Sequence, residues 1–255
     1  MTSNKLESFP KVYYINMDHA VERNNYMIDM LKKSGITNYE RVVGLKARRS
    51  KHPLLSRTQY GCAMAHLQAI CKVANGYEEY AVILEDDIDL LASDHWLFTW
   101  KEFIDRAPDF DVLQLFRLSL NTLSENYSVK ENDFDTMIRF KKWEVGDFMA
   151  PAYVISRTHA KRLQKKLMSG GPSLRDFESL SSTEGPVADH MVYTNANTYS
   201  ASIFTTKVFI SQISNQHEWV PYLSLLELFD KEIKNNFTLD RIFTTYESDN
   251  ESAQA

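Results

Sequence analysis

Apolar positions along the first half of the chain recur with two alternating periods. Lys11–Asn16 (KVYYIN) is a short apolar, β-prone run that predicts a strand, and Glu22–Lys33 places Met27, Met30 and Leu31 at helical spacing ahead of Gly35. Tyr39–Gly44 reads as a second strand. Ser56, with Gln59 three residues on, forms a capping-box signature before an apolar helix reaching about Val73. Tyr80–Leu84 is the strongest buried strand in the chain, Trp96–Arg106 reads as a helix, and Asp111–Phe116 (DVLQLF) as another buried strand. Strand and helix alternating in this way predict an α/β fold with a mostly parallel central sheet flanked by helices.

The second half is less regular. Asn121–Asp135 is polar and reads as a loop, and Met137–Val145 as the arm of an antiparallel hairpin. Ala152–Ile155 is a strand followed by a basic helix that ends at Gly170–Gly171. Leu174–Gly185 is a Ser/Glu-rich loop, and Pro186 opens a short helix through Thr194 as a proline at the first helical position does. Thr205–Ser211 reads as a late strand and Leu223–Lys234 as an amphipathic helix. Polar tails at residues 1–9 and 247–255, with no repeat or linker between, predict a single domain over residues 10–246.

Composition narrows the classes of function. With 255 residues, 44% of them apolar, the chain can bury a core of its own, which excludes disorder throughout. No run approaches the roughly 18 apolar residues of a membrane span, and Met1–Pro10 carries Lys5 and Glu7 where a secretory peptide has an apolar core, so the start reads as cytosolic. A net charge of −5 disfavours nucleic acid as a partner. Lys46, Arg48, Arg49, Lys51 and Arg57 form a local basic stretch that reads as a solvated loop, its alternative being a loop beside an anionic ligand. Cys62 and Cys71 lie nine residues apart in one helix, which predicts reduced, structural thiols and neither a disulfide framework nor a thiolate metal site. The sequons at Asn126, Asn236 and Asn250 read as chance matches.

The common nucleotide and hydrolase motifs, Gly-x-Gly-x-x-Gly, the P-loop, His-Glu-x-x-His and Gly-x-Ser-x-Gly, do not occur. What stands out is Ala81-Val-Ile-Leu-Glu85-Asp86-Asp87, a buried strand running into three adjacent carboxylates, with Asp89 two positions on. Like charges at one strand end repel unless solvent, a helix start or a cation balances them. Hard oxygens suit Mg²⁺ or Mn²⁺, and ligands of open α/β sheets bind beyond the carboxyl ends of the strands. Pleat alternation sends Glu85 and Asp87 to one side and Asp86 to the other. His66 shares a helical face with Cys62, Ala69 and Val73 and, from spacing alone, reads as a satisfied core residue.

Five blocks in order carry a resemblance. Val12-Tyr-Tyr-Ile-Asn16-Met-Asp18 with Glu22-Arg23, Gly61-Cys-Ala-Met-Ala-His66, Ile83-Leu-Glu-Asp-Asp87, Pro151-Ala-Tyr153-Val-Ile-Ser156 through Ala160, and Pro186-Val-Ala-Asp189 resemble the motifs of glycosyltransferase family 25, the lipopolysaccharide-type galactosyl- and glucosyltransferases. Ala65 stands where that family usually has Ser, and Ala188 separates Val187 from Asp189. The resemblance implies a GT-A-like fold, a UDP-sugar donor, Mn²⁺ or Mg²⁺ at the acidic motif, inversion at the anomeric carbon, and a glycan or lipid-linked glycan acceptor reached from the cytoplasm, with room for peripheral contact at the inner membrane face. It implies Glu85 and Asp87 as metal ligands, and Asn16, Asp18, Arg23 and Asp86 as donor-binding residues. Asp189 becomes the catalytic base, with Asp147 as its rival. His190 and His217 are weaker candidates for a metal ligand or a contact to the diphosphate, and Trp143, Met149 and Tyr153 for an acceptor platform. A non-catalytic glycan- or nucleotide-binding relative and a metal-dependent phosphohydrolase are the alternatives.

Overall fold

The computed structural model describes residues 5–49, 55–90, 93–94, 96, 98–116, 118–119, 138–144, 147–168, 188–201, 203–206 and 243–246. The expected loops at Asn121–Asp135 and Leu174–Gly185, the helix Leu223–Lys234, the C-terminal tail, Lys51 and His217 lie outside the described residues.

The first half alternates as its periodicity predicts: β1 (Lys11–Asn16), α1 (Val21–Lys33), β2 (Tyr39–Val43), α2 (Arg57–Asn75) and β3 (Tyr80–Glu85). α1 buries Met27, Met30 and Leu31 and stops at Gly35, whose φ of 71° is the left-handed conformation that glycine adopts without strain. Ile36 N–H then closes the turn on the Leu31 carbonyl at 2.9 Å. α2 opens on the capping box read from the sequence: Gln59 N–H donates to Ser56 Oγ at 3.2 Å, and Ser56 N–H donates to Gln59 Oε1 at 3.0 Å.

There follow β4 (Ile88–Asp89), α3 (Trp100–Asp105), β5 (Val112–Gln114), β6 (Leu118–Ser119), β7 (Ile138–Lys142), β8 (Asp147–Phe148), β9 (Ala152–Ser156), α4 (Arg157–Met168), α5 (Ala188–Tyr193), β10 (Thr198–Ser200), β11 (Thr205–Thr206) and β12 (Phe243–Tyr246). α3 begins four residues later than its apolar pattern suggests. Thr99 and Glu102 cap it there, while Trp96 and Phe98 stack on each other in the core, ring centroids 4.7 Å apart.

Eight strands form one sheet in the order β12-β7-β10-β5-β9-β3-β1-β2. β1 pairs parallel with both β2 and β3, whereas β9 enters antiparallel between β3 and β5. Helices cover both faces, and the pleat sorts the side chains. Val12, Tyr14, Val82, Leu84 and Val154 join Met27, Met30 and Leu31 of α1 in one core. Tyr13, Ala81, Ile83, Tyr153 and Ile155 join Leu67, Ile70 and Val73 of α2 and Leu163 of α4 in the other. Among the described residues, no helix is long and apolar enough to cross a membrane.

Candidate active site at the carboxyl end of strand β3

The same pleat decides where the acidic triplet points. Glu85 follows Ala81 and Ile83 onto the α2 face, and Asp86 follows Val82 and Leu84 onto the α1 face. The strand ends at Glu85, so Asp86 and Asp87 lie in the turn that leads to β4, and Asp87 is oriented by that turn rather than by the pleat.

On the α1 face Asp86 is buried and held by two groups. Arg23 Nη1 lies 3.0 Å from its Oδ1, and Asn16 Nδ2 donates to its Oδ2 at 2.6 Å while donating to the Ala20 carbonyl at 3.1 Å. Burial raises the Asp86 pKa, with Arg23 and Asn16 pulling against it. Asn16 and Arg23 therefore meet at Asp86. Asp18 stands apart on the surface, where it pairs with Arg41 at 2.9 Å.

Asp87 has no comparable partner among the described residues. Its Oδ1 is buried and accepts no hydrogen bond, and burial together with the charges of Glu85 and Asp86 pushes its pKa up to about 7. Asn16 Oδ1 is a second buried acceptor left unfilled. Unfilled hard oxygens beside two further carboxylates are a donor set that a small divalent cation would complete, so the residues present fit Mn²⁺ or Mg²⁺.

On the α2 face Glu85 lies 3.0 Å from His66 Nε2, and His66 Nδ1 lies 3.1 Å from Tyr153 Oη. Burial works against a charged His66 ring. Tyr153, Cys62 and Glu85 outweigh it and raise its pKa well above the ordinary value. His66 is thus a fully buried histidine, as its spacing suggests, but its partner is the first carboxylate of the acidic motif. Only the fold makes that pairing visible.

Asp189, at the start of α5, is buried and accepts from Met149 N–H at 3.0 Å through Oδ2 and from His190 N–H at 3.1 Å through Oδ1. Met149 has φ 78°, rare outside glycine, and Gln114 Nε2 and Tyr193 Oη both donate to its carbonyl, at 2.7 and 3.1 Å. Tyr193 sits within electrostatic reach of Tyr153, Asp189 and Glu85; burial, then these neighbours, keeps its hydroxyl protonated. Asp189 therefore borders the same region as Glu85 and braces the turn before β9. Asp147 falls in β8, whose backbone pairs with β6, and its side chain is outside the described set.

Two expectations change, those for Tyr153 and Cys62. Tyr153 is fully buried and spends its hydroxyl on His66, so it cannot stack on an acceptor sugar. Trp143 is partly buried, with its ring against His190 and Tyr193. Cys62 is exposed rather than in the core, although His66, Ala69 and Val73 are buried. Gln114 was missed; the one polar residue within the apolar part of DVLQLF was its signal, and Ser200 Oγ donates to its Oε1 at 2.6 Å.

The family model of glycosyltransferase family 25, described as an LPS biosynthesis protein, matches residues 9–170, more than half of the chain and all of β1 through α4. The chain belongs to glycosyltransferase family 25. This family 25 member is a glycosyltransferase of lipopolysaccharide biosynthesis, acting between a sugar donor and a glycan acceptor. No curated protein sequence gives a significant match to it. Among solved structures it is similar to A197 from STIV, with a TM-score of 0.36 and 14% identity over 79% of this chain and 86% of that one. It is also similar to HddC from Yersinia pseudotuberculosis, with a TM-score of 0.35 and 12% identity over 89% of this chain and 82% of that one. Both likenesses are faint.

Proposed function

We propose that this family 25 glycosyltransferase moves a hexose, galactose or glucose, from a UDP-sugar to a hydroxyl of a glycan or lipid-linked glycan acceptor, with inversion at the anomeric carbon. The observation that carries this reading is the unfilled, buried Oδ1 of Asp87 beside Glu85 and Asp86 at the carboxyl end of β3. Glu85 and Asp87 are the residues that would hold Mn²⁺ or Mg²⁺. A divalent cation bound there supplies positive charge against the diphosphate leaving group.

The chain's own groups do the rest. Asp86, fixed by Arg23 and Asn16, sets the geometry of its two neighbours. Arg23 and Asn16 also border the donor, with Asp18 and Arg41 at the outer rim. His66 and Tyr153 hold the Glu85 carboxylate in one orientation, as a buried partner behind a ligand does. Asp189 takes the proton from the acceptor hydroxyl as it attacks from the face opposite the departing diphosphate, and Asp147 is the other carboxylate suited to that step.

The test is a thermal-shift series with UDP, GDP, CMP, UDP-galactose and UDP-glucose, each with and without Mn²⁺, on the wild-type chain and on Asp87→Ala. A stabilisation by one UDP-sugar that needs both Mn²⁺ and Asp87 supports the reading and names the donor. Full transfer activity in Asp87→Ala, or no response to any nucleotide in the folded protein, overturns it.

A further inference from the structure

We propose that Cys62, His66 and Glu85 form a binding site for a thiophilic divalent cation of the Zn²⁺ type, which shares Glu85 with the hard-cation site of Glu85 and Asp87 but differs from it in chemistry. A Cys Sγ, a His ring nitrogen and a carboxylate oxygen from these residues all lie within 4.8 Å of one another. Cys62 and His66 are four residues apart on α2 and so stand on one face of the helix, and Glu85 comes to meet them from the end of β3. The thiol–imidazole–carboxylate set is the chemistry that Zn²⁺ selects.

Distances favour it as well. Bonds of about 2.0–2.3 Å to a tetrahedral ion put neighbouring donor atoms roughly 3.3–3.7 Å apart. His66 Nε2 and Glu85 Oε1 are in direct contact at 3.0 Å, so a bound ion replaces that hydrogen bond and the two atoms move apart to the tetrahedral spacing. His66 Nδ1 is held 3.1 Å from Tyr153 Oη, the kind of outer partner that orients a ligating imidazole while Nε2 faces the metal. Cys62 is exposed, which opens a route from solvent, and leaves a fourth position for water. Coordination releases the Cys62 thiol proton and the His66 Nε2 proton to solvent and leaves the remaining imidazole proton on Nδ1. No electron moves.

The experiment titrates the full-length, chelator-stripped protein with Co²⁺, a spectroscopic substitute for Zn²⁺. The expected result is a near-ultraviolet thiolate-to-Co²⁺ charge-transfer band that saturates at a single equivalent and bleaches on adding Zn²⁺. The band disappears in Cys62→Ser and persists in Cys71→Ser, with circular dichroism showing both variants folded. Absence of the band in the wild type, or its survival in Cys62→Ser, overturns the site. One consequence rests on the proposed function: Zn²⁺ that engages Glu85 on the α2 face inhibits sugar transfer in the wild type and at least tenfold less potently in Cys62→Ser. Should no transfer be found in any variant, the proposed function fails, while the Co²⁺ band still decides the metal site.

Discussion

Each carboxylate of the acidic triplet meets a different environment, and that difference can be measured. Asp86 is neutralised by Arg23, whereas Asp87, with a pKa raised to about 7, keeps in the folded state a proton that the unfolded chain releases near its ordinary 3.8. The sign follows from linkage: this contribution to stability is intact below about pH 4 and lost as pH rises through 7. Between pH 5 and pH 8 the metal-free wild type should therefore lose more thermal stability than Asp87→Asn. Mn²⁺ should stabilise the wild type more at pH 8 than at pH 5, because the ion replaces that proton, and should leave Asp87→Asn unmoved. A fluorimetric melting series at the two pH values checks both. Asp189 poses a second question at this scale, since it accepts from Met149 N–H and could serve only as a brace. Asparagine can still accept the Met149 bond through its one oxygen, giving up only the adjacent His190 N–H, but cannot act as a base. If Asp189 is the base, Asp189→Asn lowers the transfer rate at least 100-fold with little change in melting temperature; a rate within a few fold of wild type assigns it to the turn alone.

Among the elements, α2 has the most demanding placement, because it delivers His66 to Glu85. Its second turn lies so close to the segment after β2 that a Cβ on Gly61 would come within 2.5 Å of the Leu45 carbonyl oxygen. A backbone atom cannot swing aside as a side chain can, so Gly61→Ala must shift α2 itself. The expected cost is about 1–3 kcal/mol, read from denaturant unfolding. Because the shift starts one turn from His66, donor binding should weaken in the same variant. The elements themselves were largely legible. α1, α2 and β3 show their periods, caps and stops in the sequence, and the Ser56–Gln59 capping box closes as read. α3 starts later than its apolar pattern predicts, since Trp96 and Phe98 answer to an aromatic cluster with Phe204, a contact across more than a hundred residues.

At the scale of the whole molecule, the site lies where β1 and β3 end side by side, with α1 on one face and α2 on the other. The central strands bear that load. Amides of β1, β3 and β9, paired on both sides and buried on both faces, should exchange only through global unfolding, while β2 at the sheet edge exchanges sooner. Hydrogen-exchange mass spectrometry separates the two, and equal rates in β2 and β3 would contradict a sheet organised around β1. Local pattern was enough to determine the alternating elements, the acidic strand end and the family motifs, because period, capping and turn chemistry are properties of neighbours in the chain. Tertiary structure alone decided that Asn16 and Arg23 converge on Asp86, that Glu85 meets His66 and His66 meets Tyr153, and that Cys62 stands exposed beside them. These encounters join residues 19 to 87 positions apart, and they exist only once the pleat of β3 has sent successive carboxylates to opposite faces and β9 has entered antiparallel beside it.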